Sequence, residues 1–268
     1  MKSQLANANN KKKSKMIHLQ NTSFGGDINP IIAGPCAVED EETYLESVKE
    51  CQKIGATLIR GNIFKPRTSP HSFQGLGVDG IKILKQAKKV VNLPIVTEIM
   101  DYHQLNDVYD VIDMIQIGAR NMQNYALLKE IGKTKKPVLL KRGLAATVEE
   151  WLLAAEYIIH AGNENVVLCE RGIRTFEPSI RYSLDITSIP VVKELSNLPI
   201  IVDPSHSAGD PRYINALCKA GLAAGADGLM VEVHLNPAKA LCDGKQALTI
   251  NKFKEIVVEL EQMNFRIR

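Results

Sequence analysis

The 268-residue chain is poor in the features that mark several large classes of protein. Its five cysteines are scattered and form no C-x-x-C pair, so a disulfide framework is not indicated and a reducing compartment is favoured. No apolar run approaches the length of a membrane-spanning helix, and no apolar segment follows the basic N-terminus as in a secretory leader. We therefore expect a cytoplasmic protein that does not enter a membrane.

An excess of one charge is also nearly absent from the body of the chain. The formal net charge is +3, and five lysines lie within the first fifteen residues. Without that segment the chain is close to neutral, so a nucleic-acid-binding surface is not indicated. Residues 1–15 are polar and lack a hydrophobic period, which predicts a flexible basic tail. Residues 16–28 alternate weakly in polarity and contain Gly25-Gly26, which predicts a short hairpin.

From residue 29 to residue 268, short apolar runs alternate with segments of helical period. Continuous apolar runs are typical of parallel strands buried on both faces, and the helices supply the crossovers between them. No G-x-G-x-x-G follows the first run, and there is no P-loop. Strands are predicted over residues 31–33, 58–60, 94–98, 114–117, 137–141, 166–170, 199–203 and 228–232. Helices are predicted over residues 39–53, 80–91, 102–111, 124–133, 147–161, 189–196, 211–224 and 249–263.

Eight such units predict a (β/α)8 TIM barrel, which needs about 250 residues. Active sites of these barrels lie at the carboxyl ends of the strands. Five cations follow the ends of four predicted strands, and we call them the strand-end cations: Arg60, Lys65, Arg120, Lys141 and Arg171. Charges gathered at one end of a barrel need a shared partner, so they predict a substrate with several negative charges, such as a phosphate plus a carboxylate.

The segment from residue 58 to residue 77 combines two of these cations with further polar groups. Arg67, Thr68 and Ser69 follow Lys65 closely, beside a proline and before two glycines. Guanidinium, ammonium and hydroxyl groups are typical of a site for a phosphate ester. A basic surface loop is the alternative, and it is disfavoured because similar charges recur at other strand ends.

One thiol, one imidazole and two carboxylates form a second set, which we call the four-donor cluster: Cys36, His206, Glu232 and Asp243. Donors of mixed softness are typical of a divalent transition-metal site. A single Cys is more often a small buried apolar residue, and His234 and Cys242 are alternative ligands. Spacing alone leaves the metal site and its ligand set open.

Several motifs match one known family in order and spacing: Ile32-Ala-Gly-Pro-Cys36, Arg60-Gly-Asn-Ile-Phe-Lys-Pro-Arg-Thr-Ser69, Gln116-Ile-Gly-Ala-Arg120, Val202-Asp-Pro-Ser-His206 and Val231-Glu-Val-His234. The chain resembles 3-deoxy-D-arabino-heptulosonate 7-phosphate (DAHP) synthase of the type I-beta branch, in a short form without a regulatory domain. It departs from the pattern at Leu235, where proline is common, and at Cys242, where serine is common. Arg181-Tyr182-Ser183 stands where Arg-Asn-Thr is usual.

The resemblance implies a condensation of phosphoenolpyruvate with erythrose 4-phosphate, which opens the shikimate pathway to aromatic amino acids. It implies that the four-donor cluster holds one divalent metal ion (Mn, Fe, Co, Zn or Cu) and that the strand-end cations bind phosphoenolpyruvate. The aldose phosphate would be bound by Arg67, Thr68, Ser69 and Asp203. Lys65, Cys36 and His206 are the expected catalytic residues, and a homotetramer or homodimer is the expected assembly.

The nearest alternative is 3-deoxy-D-manno-octulosonate 8-phosphate synthase, which uses arabinose 5-phosphate. Its loop typically reads Lys-Ala-Asn-Arg-Ser, whereas Pro66, Arg67 and Thr68 follow Lys65 here, which favours the four-carbon aldose. Cys36 also differs from the Asn of the metal-free members of that family. Sialic acid synthase and a metal-dependent aldolase are more distant alternatives. A non-catalytic phosphate-binding barrel is disfavoured, because a scaffold has no need of Cys and His donors beside five cations.

Overall fold

A short antiparallel hairpin precedes the main body of the protein. The computed structural model describes residue 6 and residues 14–267. Strand β1 (Ile17–Leu19) pairs with β2 (Thr22–Phe24), so the hairpin lies inside the segment 16–28. Its turn falls at Gln20-Asn21, where Gln20 has a φ of 45°, and Gly25-Gly26 follow the second strand.

Most of the predicted tail, residues 1–5 and 7–13, lies outside the described residues. Its last two residues contact the barrel. The Ser14 hydroxyl donates to the carboxylate of Asp227 at 3.2 Å, and the Lys15 ammonium pairs with Glu164 at 2.9 Å.

Eight parallel strands close into a barrel, which confirms the predicted (β/α)8 TIM fold. The strands are Ile31–Gly34 (β3), Leu58–Arg60 (β4), Ile95–Glu98 (β5), Met114–Ile117 (β6), Val138–Lys141 (β7), Val166–Glu170 (β8), Ile200–Val202 (β9) and Leu229–Glu232 (β10). Each strand pairs with its neighbours along the chain, and β10 closes the ring by pairing with β3 as well as β9. We use the word rim for the end of the barrel where the carboxyl ends of all eight strands meet.

Helices surround the barrel and carry the chain from the end of one strand to the start of the next. They are Glu41–Ile54 (α1), Ile81–Val90 (α2), Tyr102–Val108 (α3), Tyr125–Gly132 (α4), Val148–His160 (α5), Ser188–Leu195 (α6), Pro204–Ala208 (α7), Pro211–Ala223 (α8) and Ile250–Gln262 (α9). The short helix α7 is an addition to the predicted set. It forms because the Asp203 carboxylate accepts a hydrogen bond from the first turn and Pro204 occupies its first position. None of the described helices has the length and apolar character needed to cross a bilayer.

Alternation along the strands produces two apolar layers. Outward residues pack against the helices, and inward residues fill the barrel from its N-terminal end. Three hairpin residues, Ile17, Leu19 and Phe24, belong to the inner layer together with Leu58 of β4 and Met114 of β6. The hairpin therefore closes the N-terminal end of the barrel, and the rim remains for polar groups.

Replacing Phe24 with Ala should lower the free energy of unfolding, because the ring is fully buried against the inner layer. Removal of such a ring typically costs about 3–5 kcal/mol. Chemical denaturation of the purified protein measures this change. The matched control is Phe176→Ala, since that ring is 99% exposed and its loss should change stability by less than about 0.5 kcal/mol. Equal stability of the two variants would show that the hairpin does not close the barrel.

Candidate active site

The rim contains a polar cavity of about 220 Å³. Residues from strand ends and from the following loops line it, among them Lys65, Arg67, Thr68, Ser69, Glu98, Gln116, Arg120, Lys141, Arg171, Arg181, His206 and Asp243. Four of the five strand-end cations and three of the four residues assigned to the aldose phosphate are in this set. Arg60 is absent from it.

Alternate side chains along each strand point into the barrel, and this alternation decides which of them face the cavity. Most of the rim residues lie two positions after an inward apolar residue, in the pairs Leu58/Arg60, Val96/Glu98, Met114/Gln116, Leu139/Lys141, Cys169/Arg171, Ile201/Asp203 and Met230/Glu232. Side chains two apart in a strand share a face. The inward face thus changes from apolar to ionisable at the level of the rim.

The four-donor cluster lies beside the cavity. One ligand atom from each of Cys36, His206, Glu232 and Asp243 lies within 4.8 Å of all the others. Three of these residues are buried, and Asp243 is half-buried. Asp243 adopts a left-handed φ of 53°, which Asp tolerates better than most residues, and its Oδ2 lies 3.2 Å from Sγ of Cys36. The sequence-predicted ligand set is therefore assembled in space.

The charge states of the cluster suit a cation. Burial lowers the pKa of His206 to about 4 despite the neighbouring carboxylates, so its imidazole is neutral at pH 7. Burial would raise the pKa of Asp243, but the charge of Lys65 lowers it below its usual value. Neutral imidazole and carboxylate are the forms that bind metals. Burial raises the pKa of the Cys36 thiol, so metal binding there must displace a proton.

A buried carboxylate oxygen without a hydrogen bond gives the clearest indication of a ligand. Oε1 of Glu232 is buried and has no hydrogen-bond partner among the described residues. It lies 3.2 Å from Nε2 of His206 and 3.2 Å from Nη1 of Arg60. Buried polar atoms are rarely left without partners. A cation held by the four donors would satisfy this oxygen, so the residues fit a metal ion.

Arg60 lies behind the cluster. Its side chain is 1% exposed and pairs with Glu232, and Nη2 lies 3.8 Å from Sγ of Cys36. It therefore contacts two donors of the cluster and does not line the cavity. Its contact with phosphoenolpyruvate stays a prediction.

Asp203 joins the cluster to the cations. Oδ2 of its fully buried carboxylate lies 2.7 Å from Nδ1 of His206 and 2.5 Å from Nζ of Lys141. This contact fixes the His206 ring so that Nε2 faces Glu232. Asp203 does not line the cavity, and its predicted contact with the aldose phosphate stays a prediction.

Neither alternative ligand belongs to the four-donor cluster. His234 lies 3.8 Å from Glu39 and accepts a hydrogen bond from the Asn236 amide. Glu39 in turn accepts hydrogen bonds from the amides of Leu241 and Cys242, so these groups brace the loop that carries Asp243.

A carboxylate on β5 lies beside Lys65, a buried cation of the cavity. Nζ of Lys65 lies 3.8 Å from Oε2 of Glu98, and Gln116 donates to the same oxygen at 3.2 Å. A Cβ atom at position 118 would lie 2.0 Å from Oε1 of Glu98, so a side chain there would displace this carboxylate from its present position. Burial alone would lower the pKa of Lys65, but the charge of Glu98 raises it, and Lys65 is an ammonium at pH 7.

Two residues of the site on separate loops were missed by sequence reasoning, and one of them, Arg181, lines the cavity. Nη1 of Arg181 donates to Gln246 at 2.7 Å, and Gln246 donates to Oε2 of Glu232 at 2.6 Å. Arg181 stands in a motif of the resemblance but far from any strand end, so the strand-end criterion could not select it. Gln246 follows Asp243 by three residues, and nothing in its spacing distinguishes it.

Fold and site together define a barrel enzyme for small polyanionic substrates with a candidate metal centre. The model of the DAHP synthetase I family matches residues 8–267, and the chain belongs to that family. It is 48% identical over 248 residues to phospho-2-dehydro-3-deoxyheptonate aldolase of Thermotoga maritima, covering 92% of this chain and 73% of the relative. It is 30% identical to 2-dehydro-3-deoxyphosphooctonate aldolase of Desulfosudis oleivorans, covering 91% of this chain and 94% of the relative.

Solved structures agree with this assignment. The crystal structure of phospho-2-dehydro-3-deoxyheptonate aldolase (DAHP synthase) from Thermotoga maritima superposes with a TM-score of 0.91 at 45% identity, over 96% of this chain and 76% of that one. A truncated form of 3-deoxy-D-arabino-heptulosonate 7-phosphate synthase from the same organism gives 0.88 at 42% identity, over 96% and 95% of the two chains. The family resemblance noted in the sequence is thereby confirmed, and the chain is an enzyme of the transferase class.

Substituting Asp203 with Asn should weaken metal binding by about 10–100-fold, because this carboxylate orients His206. Titration of the metal-free protein with Co²⁺ against a chromophoric chelator measures the affinity. The control is Asp101→Asn, since Asp101 is an exposed helix N-cap and Asn caps equally well. An unchanged Co²⁺ affinity in the Asp203 variant would contradict the orienting role.

Proposed function

We propose that this chain catalyses the condensation of phosphoenolpyruvate with erythrose 4-phosphate and water, giving 3-deoxy-D-arabino-heptulosonate 7-phosphate and phosphate. This is the first step of the shikimate pathway to aromatic amino acids. One observation carries the proposal: a single cavity is lined by four strand-end cations, by the loop from Lys65 to Ser69, and by His206 and Asp243 of the four-donor cluster. Membership of the DAHP synthetase I family supports it. A homodimer or homotetramer stays a prediction.

Phosphoenolpyruvate is held by the cations that line the cavity. Lys141 and Arg171 follow adjacent strands, and Lys65 and Arg120 complete the set. Guanidinium groups bind carboxylate and phosphate oxygens in pairs, whereas Lys supplies a single positive charge. Together they orient C3 of the enol toward the second substrate, which is catalysis by positioning.

The aldose phosphate is held by the loop after β4. Arg67, Thr68 and Ser69 line the cavity, and Nη2 of Arg120 donates to the Thr68 hydroxyl at 3.5 Å. Arg67 also donates to the Phe73 carbonyl at 3.3 Å, which fixes the loop. These contacts support a second anion site next to the first. The sequence of this loop favours erythrose 4-phosphate over arabinose 5-phosphate, and the 48% identity to the heptonate enzyme against 30% to the octonate enzyme supports that choice.

The four-donor cluster supplies the ligands for one divalent metal ion of the series Mn, Fe, Co, Zn and Cu. When bound, such an ion is a Lewis acid for the aldehyde oxygen. Asp203 holds His206 in its ligand orientation, and Arg60 offsets the negative charge of Glu232.

In the reaction, C3 of phosphoenolpyruvate forms a bond to the aldehyde carbon, water adds at C2, and phosphate leaves by cleavage of the C–O bond. Nζ of Lys65 is protonated and faces the cavity, so it can donate a proton to the former aldehyde oxygen and take up the proton that water releases when it adds at C2. Glu98 keeps that proton on Lys65 until the reaction, because its charge stabilises the ammonium.

Release of phosphate from phosphoenolpyruvate should depend on erythrose 4-phosphate and should be abolished by a chelator, because both anion sites and the cluster are needed. A coupled phosphate assay with each aldose in turn, with and without chelator, measures both requirements. Restored activity on addition of a divalent metal is the control for chelator damage. A preference for arabinose 5-phosphate would assign the octonate reaction instead. Activity after complete metal removal would contradict the metal role of Cys36 and His206.

Replacing Lys65 with Met should lower kcat by about 100-fold or more, since it removes a proton donor at the reacting atoms. Steady-state kinetics with saturating phosphoenolpyruvate separate this loss from weaker binding. Lys133→Met is the matched control, because Lys133 is an exposed residue that pairs with Glu130 on α4. Full turnover by the Lys65 variant would rule out its role in proton transfer.

A further inference from the structure

Arg171 is a buried cation that lacks a full set of partners. Its side chain is 5% exposed and lines the cavity, and its Nη1 atom is buried without a hydrogen-bond partner among the described residues. Burial lowers the pKa of Arg171, Asp203 offsets part of this effect, and the charge of Arg181 adds to it. A guanidinium removed from water in this way requires some compensation from its surroundings.

An aromatic ring lies directly against this guanidinium. Cζ of Arg171 lies over the ring of Tyr182 at 4.5 Å from its centroid, and Cζ of Arg181 lies 5.6 Å from the same centroid. Both distances are within the range of an attractive cation–π contact. Both arginines line the cavity, so one ring contacts two cations of the same anion-binding site.

The chain segment that carries the ring is anchored beside the cavity. The Tyr182 amide donates to the Ser207 carbonyl at 2.7 Å. Burial would raise the pKa of the Tyr182 phenol, but Arg174 and the charge of Arg171 lower it. Gly172 allows the close approach of the ring segment, because a Cβ there would lie 2.7 Å from Cβ of Tyr182. A ring fixed in this manner can fix the guanidinium that lies over it.

We propose that Tyr182 is a positioning residue that holds Arg171 for the anionic groups of phosphoenolpyruvate through the face of its ring. A carboxylate at this position would form an ion pair with Arg171 and compete with the substrate. A ring face stabilises the cation without accepting its N–H hydrogen bonds, so these donors stay available for a substrate oxygen.

The inference rests on the proposed function, because it assigns Arg171 to phosphoenolpyruvate. The test is calorimetric titration of the full chain with phosphoenolpyruvate and, separately, with inorganic phosphate. Tyr182→Leu should weaken phosphoenolpyruvate binding by about ten-fold, because the attraction of a partly desolvated cation to a ring is lost. Tyr182→Phe keeps the ring and should stay within about two-fold of the original affinity. In turnover, the leucine variant should raise KM for phosphoenolpyruvate with little change in kcat, as expected for lost ground-state binding.

A matched control is available on α8. Tyr213 is 40% exposed, and Cζ of Arg212 lies 5.3 Å from the centroid of its ring. Tyr213→Leu therefore removes a similar contact away from the cavity. It should leave phosphoenolpyruvate binding unchanged. If Tyr182→Leu lowers the thermal midpoint strongly, Tyr182→Asn is compared with Tyr182→Phe instead.

Two outcomes would overturn the inference while leaving the proposed function intact. One is an unchanged affinity for phosphoenolpyruvate in both the leucine and asparagine variants, which would make the ring a packing element. The other is an equal loss in the phenylalanine and leucine variants, which would assign the effect to the hydroxyl and Arg174. Failure of the original chain to bind phosphoenolpyruvate at all would overturn the proposed function, and this inference with it.

Discussion

Charge pairing across the barrel is the constraint on which the rest of the site depends. Lys65 pairs with Glu98, Arg60 with Glu232, and Lys141 with Asp203, and each of these six side chains is at most 8% exposed. Each pair joins two different strands or their loops, so the counter-charge of each of these three cations comes from a different strand. Loss of one partner from a buried pair typically costs about 3–5 kcal/mol, because the remaining charge stays desolvated. Carboxylates from other strands therefore hold Lys65 and Lys141, two of the cavity cations, in place for a substrate.

The same carboxylates give the site its second property, a place for a metal ion. Glu232 pairs with Arg60 through the oxygen that also faces His206, and Asp203 divides its charge between Lys141 and His206. The anion-binding half and the metal-binding half of the site thus share their carboxylates. A substitution in one half changes the charge balance of the other, so effects of mutations on substrate and metal binding will not be additive.

Much of this arrangement could be predicted from sequence, and the remainder has a definite physical reason. Continuous apolar runs marked the strands, and residues such as Lys141 and Glu232 could be placed at the rim because they end those runs. Runs that are apolar on both faces do not reveal which parity points inward, so the burial of Arg60 behind the cluster could not be foreseen. The roles of Asp203 as the cap of α7 and as the partner of His206 could not be predicted, because both contacts appear only in three dimensions. Arg181 lies on a loop, where no period relates sequence to position.

Loops supply some of the residues of the site, and hydrogen bonds connect these loops to the ends of the strands. Asp243 and Gln246 lie on the loop after β10, and Arg181 lies on the loop after β8. The hydrogen bonds from Arg181 through Gln246 to Glu232 connect both loops to a strand-end carboxylate. Glu232 is also a donor of the cluster. The same hydrogen bonds therefore connect the metal site to the position of Arg181 in the cavity. Thermodynamic linkage requires that any such coupling act in both directions. An anion that binds Arg181 therefore also alters the environment of the metal ligands.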